Sequence, residues 1–301
     1  MKTLVIIGNG FDLNNQLKTS YSDFAESVQG DVISEKYSYI LPLDLNEDTL
    51  WSNLEEALGD VDVDNVIEYL SDSGSYNDYA ADDWSDADHH WHSQIFEDVD
   101  NITEHFKKYL VENVIPEIHN INPKIKISVP VSVINFNYTP TIEKYGVSSR
   151  NIHYIHRKYD EDRIVLGHNS ENEINRIEEY KEQHESEGDI DIDLRESETY
   201  DEVLSFLKSH KKNHEANFTE LKLDWSECDK VICLGHSCSP VDMPYFKMIH
   251  IKVGEVPWIF SYYDENNIVP TDLKHVVNEI GVKHYEFIPS IDEIIVKHLS
   301  I

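Results

Sequence analysis

The chain has few cysteines and no long apolar run, and each shortage excludes a class of protein. Its three cysteines, Cys228, Cys233 and Cys238, follow no Cys-x-x-Cys spacing and no disulfide framework, so they indicate reduced thiols. No apolar stretch is long enough to span a bilayer, and the N-terminus lacks the features of a secretory signal. We therefore expect a cytoplasmic protein that does not contact membranes.

Cations are scarce as well, with 25 Lys and Arg against 58 Asp and Glu, which gives a formal net charge of −33. A field of this sign repels phosphate backbones and anionic membranes, so it excludes non-specific nucleic-acid binding and disfavours a nuclease. A small anionic ligand remains compatible, since backbone amides can hold phosphate locally. His89, His90 and His92 lack partners at a ligand spacing, so we interpret them as surface residues and expect no metal.

Glycine is also uncommon, with 11 residues among 301, and two of these lie one residue apart after the first apolar run. Leu4–Ile7 is unbroken and β-branched, which is typical of a strand buried on both faces. Gly8 and Gly10 follow directly, and such a turn allows the backbone to approach a ligand closely. The third glycine of the dinucleotide fingerprint is missing, so a simple tight turn is an equal alternative at this stage.

Further apolar runs alternate with helical patterns along the chain. The predicted strands are Leu4–Ile7, Ser128–Asn135, Asn151–His156, Arg163–Gly167, Asp229–Leu234, Pro257–Tyr262 and His284–Ile288. The helices predicted between and after the later strands are Asp242–Ile249, Thr271–Ile280 and Ile291–Leu299. This alternation predicts an α/β fold with a Rossmann-like, mainly parallel sheet that carries helices on both faces.

Two stretches depart from the alternation and predict helical additions to one domain that spans residues 1–301. Residues 46–120 carry helical apolar spacing, and an earlier helix after Thr19 should bury Tyr21, Phe24 and Val28. Residues 171–217 form an acidic helical insertion, whose later part carries an apolar stripe. We expect that stripe to pack as a cap over the sheet edge or against a second copy of the chain.

Polar residues follow four of the predicted strands. In chain order they are Asp12 after the Gly8–Gly10 turn, Asn137, His156, and His236 with Asp242 beyond it. Ligands of open α/β sheets bind outside the carboxyl ends of the strands, so this edge is the predicted site. Asp12 can face a ribose or a water or cap the next helix, Asn137 can be a turn residue, and His156 can act as a base near neutral pH.

The motifs resemble those of a known family. Gly8-Asn9-Gly10-Phe11-Asp12, Thr19-Ser20-Tyr21-Ser22-Asp23-Phe24 and Asn135-Phe136-Asn137-Tyr138-Thr139 look like the AbiH family of bacterial abortive-infection proteins. The likeness covers nearly the whole chain in motif order. It implies a role in defence against phage.

The same motif order also resembles, more distantly, the sirtuin-like NAD-consuming domains of anti-phage systems. That likeness implies NAD as substrate, with Asn137 and His156 as catalytic residues beside Asp12. The glycine turn would lie against the phosphates, and the late segment with its following acid would contact the adenosine half. The residues so implied to bind the cofactor are Gly8, Asn9, Gly10, Phe11, Gly235, His236, Ser237 and Asp242.

Two residues depart from the sirtuin-like pattern and favour a second hypothesis. Thr139 stands where that pattern has Asp, and Arg157 stands where Gly usually follows the histidine. The alternative is therefore a nucleotide-binding sensor or partner-binding module of a defence system that does not cleave its ligand. Its partners would be an NAD- or ADP-ribose-like nucleotide, a homodimer mate or another defence protein.

Overall fold

A computed structural model of the chain describes residues 3–30, 54–61, 63, 66, 101–187, 194–264 and 268–300. The predicted histidine cluster at 89–92 and most of the predicted helical stretch before residue 101 lie outside these residues. The chain divides into two units, one made of Met1–Ser20, Leu110–Val165 and Asn213–Ile301 and the other of Tyr21–Tyr109 and Leu166–Lys212. The single domain remains a prediction.

The first unit contains one sheet of six parallel strands in the order β3-β2-β1-β4-β5-β6. The strands are β1 (Thr3–Ile7), β2 (Val131–Asn135), β3 (Ile152–Tyr154), β4 (Lys230–Leu234), β5 (Trp258–Ser261) and β6 (Tyr285–Ile288). This is the doubly wound order, in which the direction of winding reverses between β1 and β4. The predicted Rossmann-like α/β fold is confirmed.

Side chains of the central strands alternate between two apolar layers, one on each face of the sheet. Leu4 and Ile6 pack in one layer, while Val5 and Ile7 pack in the other. All four are at most 1% exposed. The unbroken apolar run at the start of the chain therefore results from a strand that buries both of its faces.

Helices pack against both faces of the sheet and complete the two apolar layers. The α-helices whose full extent is described are α1 (Asn9–Asn14), α2 (Tyr21–Ala25), α3 (Leu54–Ala57), α4 (Ile102–Tyr109), α5 (Ile115–Ile118), α6 (Asn172–Glu187), α7 (Leu194–Ser209), α8 (His214–Thr219), α9 (Met243–Val253), α10 (Thr271–Ile280) and α11 (Ile291–Ile294). α9 and α10 cover one face of the sheet, whereas α11 and the π-helical turn Ile295–Leu299 cover the other. None of the described helices is long and apolar enough to cross a membrane.

Local sequence explains several of these boundaries. β2 begins at Val131 rather than at the predicted Ser128, because Pro130 has no N–H to donate to the sheet. α10 ends where predicted, with Gly281 in the left-handed conformation at φ 91°. Ser290 caps α11 by accepting a hydrogen bond from the backbone N–H of Glu293.

Two predictions made from sequence patterns are wrong. Residues 163–167 form no strand: Val165 instead makes isolated bonds, with its N–H to His156 and its carbonyl to the Tyr138 hydroxyl. The second error is Val28, which is 78% exposed although Phe24 is buried. α2 ends at Ala25, so the helical spacing that starts at Phe24 does not continue to Val28.

The second unit has its own aromatic core and a buried ion pair. The Phe24 ring packs against Phe106 and Tyr109, at centroid distances of 5.2 and 5.6 Å. Lys212 Nζ lies 2.8 Å from Glu55 Oε1, and the lysine side chain is fully buried. Because a buried ammonium without a partner is very costly, this pair fixes the end of the 166–212 segment inside the unit.

The turn after β4 should be sensitive to any added side chain. Gly235 has φ 63°, and a Cβ there would lie 2.3 Å from Phe11 N. Gly281 has a similar positive φ, but a Cβ there would only meet His250 ring atoms at 3.7 Å. We expect Gly281→Ala to lower the free energy of unfolding by about 1 kcal/mol through backbone strain alone. Gly235→Ala should cost about 3 kcal/mol, since overpacking adds to the strain.

Urea unfolding of the two variants measures this difference. Equal losses in both variants would mean that the turn can move away from β1, contrary to the packing described.

Candidate functional site

The turns after β1 and β4 touch at the point where the winding of the sheet reverses. The N–H of Gly8 donates to Leu234 O at 3.1 Å, and the N–H of Gly10 donates to Gly235 O at 2.7 Å. A Cβ at Gly8 would lie 2.7 Å from His236. The two glycines are therefore required by the close approach of two backbone turns, at the place where such folds bind ligands.

Asp12 lies in α1, directly after this turn, and is completely buried. Its Oδ2 accepts a hydrogen bond from the Thr139 hydroxyl, which in turn accepts one from the Thr141 hydroxyl at 3.1 Å. Burial raises the pKa of Asp12 to about 6, and these hydroxyls offset part of that effect. The side chain therefore links α1 to the β2 turn instead of capping a helix, and it can exchange a proton near neutral pH.

Two asparagines shape the turn after β2. Asn137 Nδ2 donates to Gly8 O at 3.0 Å, which ties this turn to the one after β1. Asn135 holds the turn from within, because its Oδ1 accepts from the N–H of Asn137 and its Nδ2 donates to Thr139 O. Asn135 lies within a sequence motif, but sequence patterns do not show that an amide at the end of a buried strand makes these two bonds, which a buried amide needs.

His156, Asp242 and His236 form a buried cluster. His156 Nε2 lies 3.3 Å from Asp242 Oδ1, and His236 Nε2 lies 3.6 Å from Asp242 Oδ2. Both imidazoles are 4% exposed and the carboxylate is 9% exposed. Asp242 precedes α9 but makes no capping hydrogen bond to it, so its side chain is directed at the rings. A carboxylate beside an imidazole orients the ring and stabilises its protonated form.

Aromatic rings enclose the cluster on the side of the sheet. Phe136 meets both imidazoles edge-on, with ring centroids 5.4 Å from His156 and 4.4 Å from His236. Tyr245 of α9 lies 5.8 Å from the His156 ring. An apolar enclosure of this kind lowers the local dielectric constant and strengthens the contact between the carboxylate and the imidazoles.

Two residues beside the histidines have left-handed backbone conformations. Arg157 has φ 66°, the region that favours glycine, so the turn keeps a glycine-like shape despite the bulky side chain. Its guanidinium lies 3.8 Å from Glu220 Oε1. Cys238 has φ 55°, and burial raises the pKa of its thiol well above the ordinary value. A thiol that resists ionisation is a poor nucleophile.

The remaining predicted residues occupy different surroundings. Asn9 is exposed, and its Oδ1 accepts a bond from the Thr19 hydroxyl at 2.6 Å. The Phe11 ring packs in the core, 5.0 Å from Tyr145, so only its backbone reaches the turn. Ser237 is exposed next to His236. A further histidine, His168, belongs to the second unit, where its Nε2 bonds to Leu207 O.

No group of three or more His, Cys, Asp or Glu side chains in the described part of the chain is arranged to hold a metal ion. A scan against protein-family models matches residues 4–262 to the family described as bacteriophage abortive infection AbiH. A search of the curated proteins found no match. The matched residues include every residue of the site described above.

The raised pKa of Asp12 predicts how the stability of the fold changes with pH. Its folded pKa, about 6, exceeds the ordinary Asp value of 3.8, so folding favours the protonated carboxyl group. That contribution is complete below the unfolded pKa and is lost as pH rises through the folded pKa. A shift of this size corresponds to about 3 kcal/mol. Asp12→Asn stays neutral at every pH. The free energy of unfolding of Asp12→Asn relative to that of wild type should therefore rise by about 3 kcal/mol between pH ~4 and pH ~7.

Urea unfolding of both proteins across this range provides the measurement, and taking the difference removes titrations that the two proteins share. A constant difference would show that Asp12 ionises normally in the folded chain.

Proposed function

Because this chain belongs to the AbiH family of bacteriophage abortive infection proteins, we propose that it is a cytoplasmic anti-phage effector that hydrolyses NAD. The observation that carries the proposal is the buried contact between His156 and Asp242, 3.3 Å apart. It lies beside the glycine turns at the reversal of the sheet, where dinucleotides bind in folds of this order. In this proposal the dinucleotide binds at the glycine turns, next to an imidazole base.

In the proposed reaction, the bond between nicotinamide and ribose C1′ breaks and its electron pair stays on the nicotinamide nitrogen. Water attacks C1′, and the products are ADP-ribose, nicotinamide and one proton. His156 accepts the proton from the attacking water, and Asp242 stabilises the resulting imidazolium. The positive charge that develops on the ribose is favoured by nearby carboxylates, including Asp12 when it is ionised.

The other residues position the substrate in this proposal. Backbone amides after Gly8 hold the pyrophosphate, and Asn137 orients the ribose or the water while its amide keeps the two turns together. The hydroxyl of Thr139 replaces a carboxylate of the sirtuin-like pattern, and Asp12, bonded to that hydroxyl, supplies a carboxylate from α1 instead. No step requires a metal.

The direct test is release of nicotinamide and ADP-ribose from NAD by the purified chain. His156→Gln should reduce turnover by at least about 100-fold, because it removes the general base while keeping the polar volume. His275→Gln, on the exposed side of α10, is the matched control and should turn over NAD like wild type. Equal turnover by wild type and His156→Gln would contradict the assigned role of His156.

A second candidate function is nucleotide sensing without cleavage, with residues 171–217 engaging a partner. Two hydrogen bonds favour it: Asn137 donates to Gly8 O, and the Thr139 hydroxyl donates to Asp12. These polar groups therefore hold the turns together instead of acting on a substrate. Calorimetric titration with NAD distinguishes the two functions. The result expected of a sensor is that intact NAD binds and no nicotinamide is released. This binding should be lost when Gly10 is replaced. No binding of NAD or ADP-ribose at all would contradict both candidates.

A further inference from the structure

The surroundings of His236 determine which of its ring nitrogens carries the proton. The backbone N–H of Cys238 donates to His236 Nδ1 at 2.8 Å, so that nitrogen must present a lone pair. The donor is held there by the left-handed conformation of Cys238, at φ 55°. A neutral His236 therefore carries its proton on Nε2, the nitrogen that faces Asp242 Oδ2.

The same carboxylate faces His156 with its other oxygen. An ionised carboxylate only accepts hydrogen bonds, so the nitrogen opposite Asp242 Oδ1 must carry a proton as well. That nitrogen is His156 Nε2, 3.3 Å away. In a neutral His156 the lone pair then lies on Nδ1, and the ring accepts protons there.

We propose that Asp242 is a positioning residue that fixes the Nε2–H tautomer of His156, as the Cys238 N–H fixes that of His236, and thereby makes Nδ1 the basic nitrogen of His156. This assigns Asp242 to the imidazoles rather than to the adenosine half of a nucleotide. The consequence for catalysis rests on the proposed function, whereas the tautomers themselves do not. His236 Nε2 lies 3.6 Å from the second carboxylate oxygen, which is too far for a hydrogen bond, so its N–H meets Asp242 as an electrostatic contact.

Replacing Asp242 with Asn tests the proposal because an amide offers one acceptor and one donor. His236 cannot change tautomer without losing the bond from Cys238, so the amide oxygen should turn toward His236. The amide NH₂ then faces His156 Nε2, which must lose its proton. His156 should switch to the Nδ1–H form, and the nitrogen that served as base becomes a donor.

The experiment records long-range ¹H–¹⁵N correlations of histidine-labelled full chain at about pH 8, where an ordinary imidazole is neutral. His156→Gln and His236→Gln assign the two rings. The expected result is Nε2–H for both rings in wild type, and Nδ1–H for His156 alone in Asp242→Asn. Asp272→Asn, an exposed acid of α10, is the control and should leave both rings unchanged.

An Nδ1–H tautomer of either ring in wild type overturns the proposal, and this arm needs no variant that folds. Retention of Nε2–H by His156 in a folded Asp242→Asn overturns it too. NAD turnover, measured in parallel, should fall by about 100-fold or more in Asp242→Asn, with KM changed far less than kcat. If wild type releases no nicotinamide, the proposed function fails while the tautomer result still decides the role of Asp242.

Discussion

The close approach of two backbone turns governs the first unit. Gly10 donates to Gly235 O at 2.7 Å because both turns leave neighbouring parallel strands at the same level, where Ile7 lies opposite Leu234. Parallel strands end at one edge of the sheet, so everything that follows them is crowded into the same space. The crowding excludes side chains at the contact and brings His236 against Gly8.

The polar groups of the site depend on this contact in two separate networks. One runs from Asp12 through Thr139 to Thr141 and joins α1 to the β2 turn. The other joins the turns after β3 and β4 through the Asp242 carboxylate. Asn137 bonds to Gly8 and so anchors the β2 turn to the same backbone as the glycine contact. The first network gives buried Asp12 Oδ2 a hydrogen-bond partner, which lowers the cost of burying that atom.

Sequence patterns predicted the centre of the sheet well, because β1, β2, β4 and β5 are largely buried on both faces and each adjoins a Gly or Pro. They failed at residues 163–167, where a short apolar run contacts its neighbours only through isolated bonds. For the site, chain position predicted that Asp12, Asn137 and His156 lie at the sheet edge. It could not predict that Asp242 faces two imidazoles, since residue 156 follows a different strand from residues 236 and 242 and meets them only in the folded chain. The role of Asn135 cannot be predicted from sequence patterns either, because its side chain makes its bonds inside the turn that follows β2.

The order of the strands also sets when the sheet can assemble during synthesis. A ribosome makes β1 first, but the two neighbours of β1 begin only at Val131 and Lys230. Both stretches of the second unit emerge before β4. Contacts across such long separations close slowly, because the intervening chain must first lose entropy. A strand that is apolar on both faces thus lacks its second partner until β4 has been translated, and an apolar strand exposed in this way is prone to aggregation.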